Sequence, residues 1–246
     1  MHIVDHLFVL LLFIAQPIYG ALSYRRYLRK IQAGEPANTI KLYRETLILE
    51  WLALAALATA WYFLGRPAAD LGFVTPAGIS FYVGVVLLVL FCGFLAYSWR
   101  SAKQMTDDKR VKQAEALGDL VHFLPRNQRD YRYFFGLSVT AGIVEEIIYR
   151  GFVIWYLAQF MPLWGAVIVS SIFFGLGHSY QGAAGIVRTG LVGLGFGVFY
   201  VFTGSIWLPI IGHALIDILQ GKTIVEILRD TGRGYSASER PSPASC

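Results

Sequence analysis

Residues 139–157 read VTAGIVEEIIYRGFVIWYL, and the fold turns on how that run is understood. It is apolar enough to cross a bilayer, yet it holds two adjacent carboxylates and an arginine. On the lenient insertion scale an Asp, Lys or Arg at the centre of a spanning helix costs about 2.5 to 3.5 kcal/mol, so such groups face a polar interior and partners. Glu146 and Arg150 are four apart with the acid N-terminal, the favourable order for an ion pair on one helical face. Glu145 points about 100° away and has no basic residue three or four places along its own helix. Its partners must come from elsewhere. Taken alone, the run also fits a buried structural ion pair with a spare carboxylate.

The surrounding chain has the composition of a polytopic membrane protein. Of 246 residues 56% are hydrophobic and 15% charged, and mean hydropathy is +0.53, unlike a soluble domain. Apolar runs near the ~20 residues needed to span ~30 Å of hydrocarbon fall at 5–24, 45–64, 78–99, 133–157, 163–180, 184–203 and 205–220. The expected fold is all-α, with seven transmembrane helices around an internal polar site; the last three runs are short and close, which leaves room for an eighth span or a re-entrant piece. Residues 1–99 then hold three spans, 100–132 a cytoplasmic amphipathic loop, 133–220 the transmembrane core that carries the charged run and 221–246 a polar cytoplasmic tail.

Basic residues alternate with this division. The connections after spans 1, 3, 5 and 7 hold 6, 8, 1 and 4 Lys plus Arg, counting Arg188 near the start of the run 184–203 with the third, whereas the N-terminus and the connections after spans 2, 4 and 6 hold 0, 1, 0 and 0. The positive-inside rule puts the N-terminus outside and the C-terminus in the cytoplasm. The net charge of +5 is accounted for by these loops and implies no nucleic-acid partner. The apolar N-terminal run lacks a basic leader and is followed by Arg25, Arg26, Arg29 and Lys30, which fits a retained span rather than a secretion signal. In the long loop Leu117, Leu120, Val121 and Leu124 fall on one helical face before Pro125 stops it. The stretch 231–246, rich in Ser, Pro and Gly, reads as disordered. Cys92 and Cys246 make no disulfide framework.

Few titratable groups in the later runs can answer Glu145: His178, Arg188, and His213 with Asp217 four residues on. Counted along the spans at 1.5 Å per residue, Glu145, His178, His213 and Asp217 can meet in the inner half of the bilayer. A carboxylate and an imidazole sharing a water can deprotonate it for attack on a carbonyl, while further donors hold the oxyanion. That is peptide-bond hydrolysis. No Ser, Cys or Thr nucleophile accompanies these residues. A transporter with a proton relay, or a scaffold without catalysis, is the reading from another class, but the two halves of the chain show no inverted repeat.

Three motifs, in order and on three apolar runs, give the chain a resemblance. Glu145-Glu146-Ile147-Ile148-Tyr149-Arg150 resembles EExxxR, Phe174 to His178 resembles FxxxH, and His213 to Asp217 resembles HxxxN/D. Together they resemble the CPBP intramembrane proteases, which include type II CAAX prenyl endopeptidases and bacteriocin-processing homologues. Leu124-Pro125 and Arg150-Gly151-Phe152 look like bacterial members, so the resemblance covers roughly residues 124–220 and points to a multi-pass protein of a bacterial cytoplasmic membrane. It implies that Glu145 activates water with help from His178, that His213 and Asp217 stabilise the oxyanion, and that Glu146 and Arg150 form the structural ion pair. Prenyl endopeptidases usually carry asparagine where Asp217 stands. The implied partners are membrane lipids and a protein or peptide substrate, membrane-anchored or lipidated. The family is described as working without a metal; a zinc held by Glu145, His178 and His213 with an open position for water is the alternative.

Overall fold

The computed structural model describes residues 1–36 and 38–229, and among them every regular element is helical. The stretch 231–246, with Cys246, lies outside the described residues. Eight helices follow in chain order: α1 (Ile3–Gln32), α2 (Thr39–Phe63), α3 (Gly78–Lys103), α4 (Asp107–Ala116), α5 (residues 128–157), α6 (Leu163–Gly177), α7 (Gly182–Thr203) and α8 (Trp207–Leu228). Side-chain caps start three of them: His2 accepts from the Val4 amide at 3.4 Å, Asn38 from the Lys41 amide at 3.0 Å and Asn127 from the Asp130 amide at 2.9 Å, each satisfying an amide that the first helical turn leaves unpaired.

Five helices, α1, α2, α3, α7 and α8, are long and apolar enough to cross a membrane. The seven spans expected from the sequence therefore include two segments that do not qualify by length and composition. Helix α6 has only 15 residues. Helix α5 is an α-helical piece (Gln128–Glu146), a π segment (Ile147–Val153) and a closing turn (Ile154–Leu157), and it carries the intramembrane charges. The outward faces remain apolar: Ile79, Leu90, Leu52 and Leu191 are 79%, 65%, 61% and 64% exposed. Such a surface suits lipid, not water.

Helix α5 is the core of the bundle. Phe152 and Val153 are wholly buried and Val144 nearly so, because α2, α6 and α8 all pack on this helix or its π segment. Helix α2 runs parallel to it: Tyr43 lies against Phe134, Trp51 Nε1 donates to Thr140 Oγ1 at 3.2 Å, and Trp61 lies against Phe152. Helix α8 runs antiparallel, with Tyr131 Oη donating to the Ile218 carbonyl at 3.2 Å. A Cβ on Gly142 would stand 2.8 Å from that of Ala214 and 2.9 Å from the Ile210 carbonyl, so only glycine permits this crossing. Gly193 and Gly197 play the same part in the α6–α7 contact, facing Phe174 and Val167; close backbones are what small-xxx-small spacing provides.

Two boundaries differ from the sequence reading. Helix α8 continues past Gln220 to Leu228, so residues 221–228 are helix rather than tail. The apolar residues 117–124 do not share one α-helical face: Gly118 takes φ 52° and a 3-10 turn follows over Gly118–His122. Tyrosines hold this turn to the bundle. Tyr24 Oη donates to the Asp119 carbonyl at 2.7 Å, Tyr27 Oη to that of His122 at 3.2 Å, and Tyr43 Oη to that of Phe123.

Candidate active site

Glu145 and Glu146 are the last residues of α5 before its π segment, a distortion that recurs at functional sites because it re-aims side chains. Gly142 lets α8 approach one turn earlier, which sets His213 beside them. His213 Nδ1 lies 2.7 Å from Glu146 Oε1, and Arg150 Nη1 lies 2.9 Å from the same oxygen. Glu146 and Arg150 are 0% and 2% exposed. Arg150 also donates from Nη2 to the Gly193 carbonyl at 3.1 Å and lies over the Phe174 ring at 4.4 Å. The arginine thus joins α5 to α6 and α7 and neutralises a carboxylate that has no access to water.

In front of this buried pair is a face that solvent can reach. Glu145 Oε1 is 3.9 Å from His178 Nε2, and Glu145 Oε2 is 3.9 Å from His213 Nε2. Asp217 Oδ2 is 3.7 Å from His213 Nε2. The side chains of Glu145, His178, His213 and Asp217 are 18%, 17%, 10% and 35% exposed. These gaps exceed a direct hydrogen bond and have the scale that an intervening water bridges.

The tautomer of His178 follows from its partner. It ends α6, and its Nδ1 is 2.8 Å from the Phe174 carbonyl. A carbonyl only accepts, so Nδ1 carries a proton, and in the neutral tautomer of the ring it is an unprotonated Nε2 that faces Glu145. A carboxylate oxygen and an imidazole nitrogen, both acceptors, then face one another across a space that a donor must fill. Water is such a donor.

The structure brings together Glu145, Glu146, Arg150, Phe174, His178, His213 and Asp217; Arg188 is exposed on α7. For zinc the spacing is wide: ligand atoms about 2.0–2.1 Å from a tetrahedral zinc stand about 3.3–3.4 Å apart, against 3.9 Å between Glu145 and either imidazole. Among the described residues no group of three or more His, Cys, Asp or Glu is arranged to hold a metal ion.

Residues 128–219 match the family model described as Type II CAAX prenyl endopeptidase Rce1-like. These residues are a CAAX-protease domain. The match runs from the start of α5 into α8 and takes in the whole constellation just described. The match to a CAAX-protease family model, beside several membrane-length apolar helices, points to an integral membrane protein of the protease class. No curated protein and no solved structure matches the chain.

One residue beside the site was not singled out in the sequence. Glu50, on α2, lies near enough to Glu145, His213 and Asp217 for their charges to act on it, and its Oε2 is buried without a hydrogen-bond partner. The signal was present: a carboxylate inside the apolar run 45–64 meets the same criterion that drew notice to Glu145. Tyr180, just beyond His178, also feels Glu145, Asp217 and Glu50.

Proposed function

We propose that the CAAX-protease domain hydrolyses a peptide bond near the cytoplasmic face of the membrane, with Glu145 and His178 sharing the attacking water. The observation that carries this reading is the 3.9 Å gap between Glu145 Oε1 and Nε2 of His178, whose Nδ1 is turned to the Phe174 carbonyl. Glu145 takes a proton as the water oxygen bonds to the scissile carbonyl carbon. The oxyanion is met by His213, whose Nδ1 is held by Glu146 and whose Nε2 faces the same space. Asp217 orients that ring or, when protonated, donates beside it. When the C–N bond breaks, Glu145 returns its proton to the leaving amine. No metal takes part in this scheme.

Helices α5 and α6 complete a seven-span bundle within the five apolar helices, with the N-terminus outside and the residues around Gln128 at the cytoplasmic face, as the alternation of Lys and Arg supports. The host membrane is a bacterial cytoplasmic membrane. The substrate is a membrane-associated protein or peptide, and prenylation is not required by anything in the site.

The test is to map new protein termini in membranes of cells making the wild-type chain, Glu145→Ala or His178→Ala. Cytoplasmic-side termini present only with the wild type support the reading. Identical termini with Glu145→Ala refute it.

A further inference from the structure

Glu50 lies outside the matched residues 128–219 and has no part in the hydrolytic steps above, yet it stands beside them. The Trp51 Nε1 to Thr140 Oγ1 bond of 3.2 Å fixes its level on α2. Thr140 is five residues before Glu145 and Glu50 is one residue before Trp51, so Glu50 lies about 9 Å nearer the Gln128 end of the bundle at 1.5 Å per residue. Asp217 is displaced the same way, one turn beyond His213 on an antiparallel helix. Both acids are therefore met before Glu145 on entry from that end.

The charges around them do not balance. Glu50, Glu145 and Asp217 act on one another, while Arg150 is held by Glu146 and the Gly193 carbonyl. A buried carboxylate oxygen with no partner is costly in an apolar span, and Glu50 Oε2 is such an atom. A purely structural residue at this point would be served by glutamine or leucine. A carboxylate whose one cationic neighbour is the His213 imidazole, with no lysine or arginine acting on it, is suited to receive one.

We propose that Glu50, with Asp217, reads a lysine or arginine side chain of the substrate. The proposal rests on Glu145 and His178 as the water-activating pair, which places the scissile carbonyl. An extended chain advances ~3.3–3.6 Å per residue, so an offset of about 9 Å puts the basic residue two to three positions from the cut, on the flank nearer the cytoplasm. The carboxylate then sets the register of the substrate on the site.

The experiment maps cleavage sites in membranes of cells making wild type, Glu145→Ala, Glu50→Gln or Glu50→Asp. Among Glu145-dependent cuts, Lys or Arg is expected to be enriched two to three residues away on the cytoplasmic flank. In Glu50→Gln the ratio of cuts at basic sites to cuts at neutral sites should fall about tenfold or more, the scale of one charge-assisted hydrogen bond, and Glu50→Asp should restore part of it. Should Glu50→Gln fail to accumulate, the basic residue of a mapped substrate is replaced by glutamine and offered to the wild type, where the same loss is expected. Glu145-dependent cuts without basic enrichment, an unchanged ratio in Glu50→Gln, or undiminished cutting of the glutamine substrate would overturn the proposal and leave the protease reading intact. Absence of any Glu145-dependent cut would instead defeat the protease reading, and this proposal with it.

Discussion

Glu146 Oε1 meets His213 Nδ1 at 2.7 Å and Arg150 Nη1 at 2.9 Å, so one buried oxygen joins the helical ion pair to the imidazole facing Glu145. The second acid of the pair is therefore more than a counter-ion for Arg150: it sets the ring orientation of a neighbouring helix.

Removing Arg150 leaves Glu146 buried without its cation. Arg150→Met should destabilise the protein by about 3–5 kcal/mol, the cost of breaking a buried pair from one side. The double variant Arg150→Met with Glu146→Gln should recover a large part of that loss. Unfolding in detergent micelles measures both; equal stabilities for the two variants would contradict the account of the pair.

The Gly142 crossing predicts a coupled defect. Gly142→Val puts side-chain atoms where Ala214 and the Ile210 carbonyl already stand, at an overpacking cost of about 1–3 kcal/mol. It should also move His213 away from Glu145, so that cleavage falls more than stability does. Activity assays beside melting curves separate the two effects.

At Asp217 the test is chemical. Asparagine keeps the size and supplies an N–H donor, so Asp217→Asn should retain cleavage within about tenfold, whereas Asp217→Ala should lose about 10²-fold, as when an oxyanion donor is removed. Initial rates on a mapped substrate decide this. Equal rates for Asn and Ala would assign Asp217 no part in the reaction.

Outside the membrane-spanning helices, His122 gives a pH dependence. Burial, with the nearby Arg126 charge adding to it, holds the imidazole below its ordinary value of 6.5. The unfolded chain then binds more protons than the folded one as pH falls through that range, so stability drops on acidification and returns as pH rises. His122→Asn should flatten the dependence of melting temperature on pH between about 5 and 7; an unchanged slope would contradict it.

How much of this was legible in the sequence follows from which signals are local. Glu145 and Glu146 could be read at once, since charge in an apolar run is conspicuous and helical spacing pairs Glu146 with Arg150. The convergence of His178 and His213 on Glu145 was open only through motif spacing, because it depends on the Gly142 and Gly193 crossings between helices distant in sequence. The π segment at Ile147–Val153 leaves no residue signature. The break at Gly118 is masked in the sequence by the apolar spacing of Leu117, Leu120, Val121 and Leu124, although glycine at φ 52° ends the helix there. Glu50 is inconspicuous because it is the one charge within a run that, after Glu45 at its start, otherwise favours an ordinary span.

The most direct measurement is cleavage of one mapped substrate by purified protein in bilayers, comparing wild type with Glu145→Gln and His178→Asn. If the two residues share the attacking water, each variant loses about 10²- to 10⁴-fold in rate while melting near the wild-type temperature. Wild-type rates in Glu145→Gln would contradict the account.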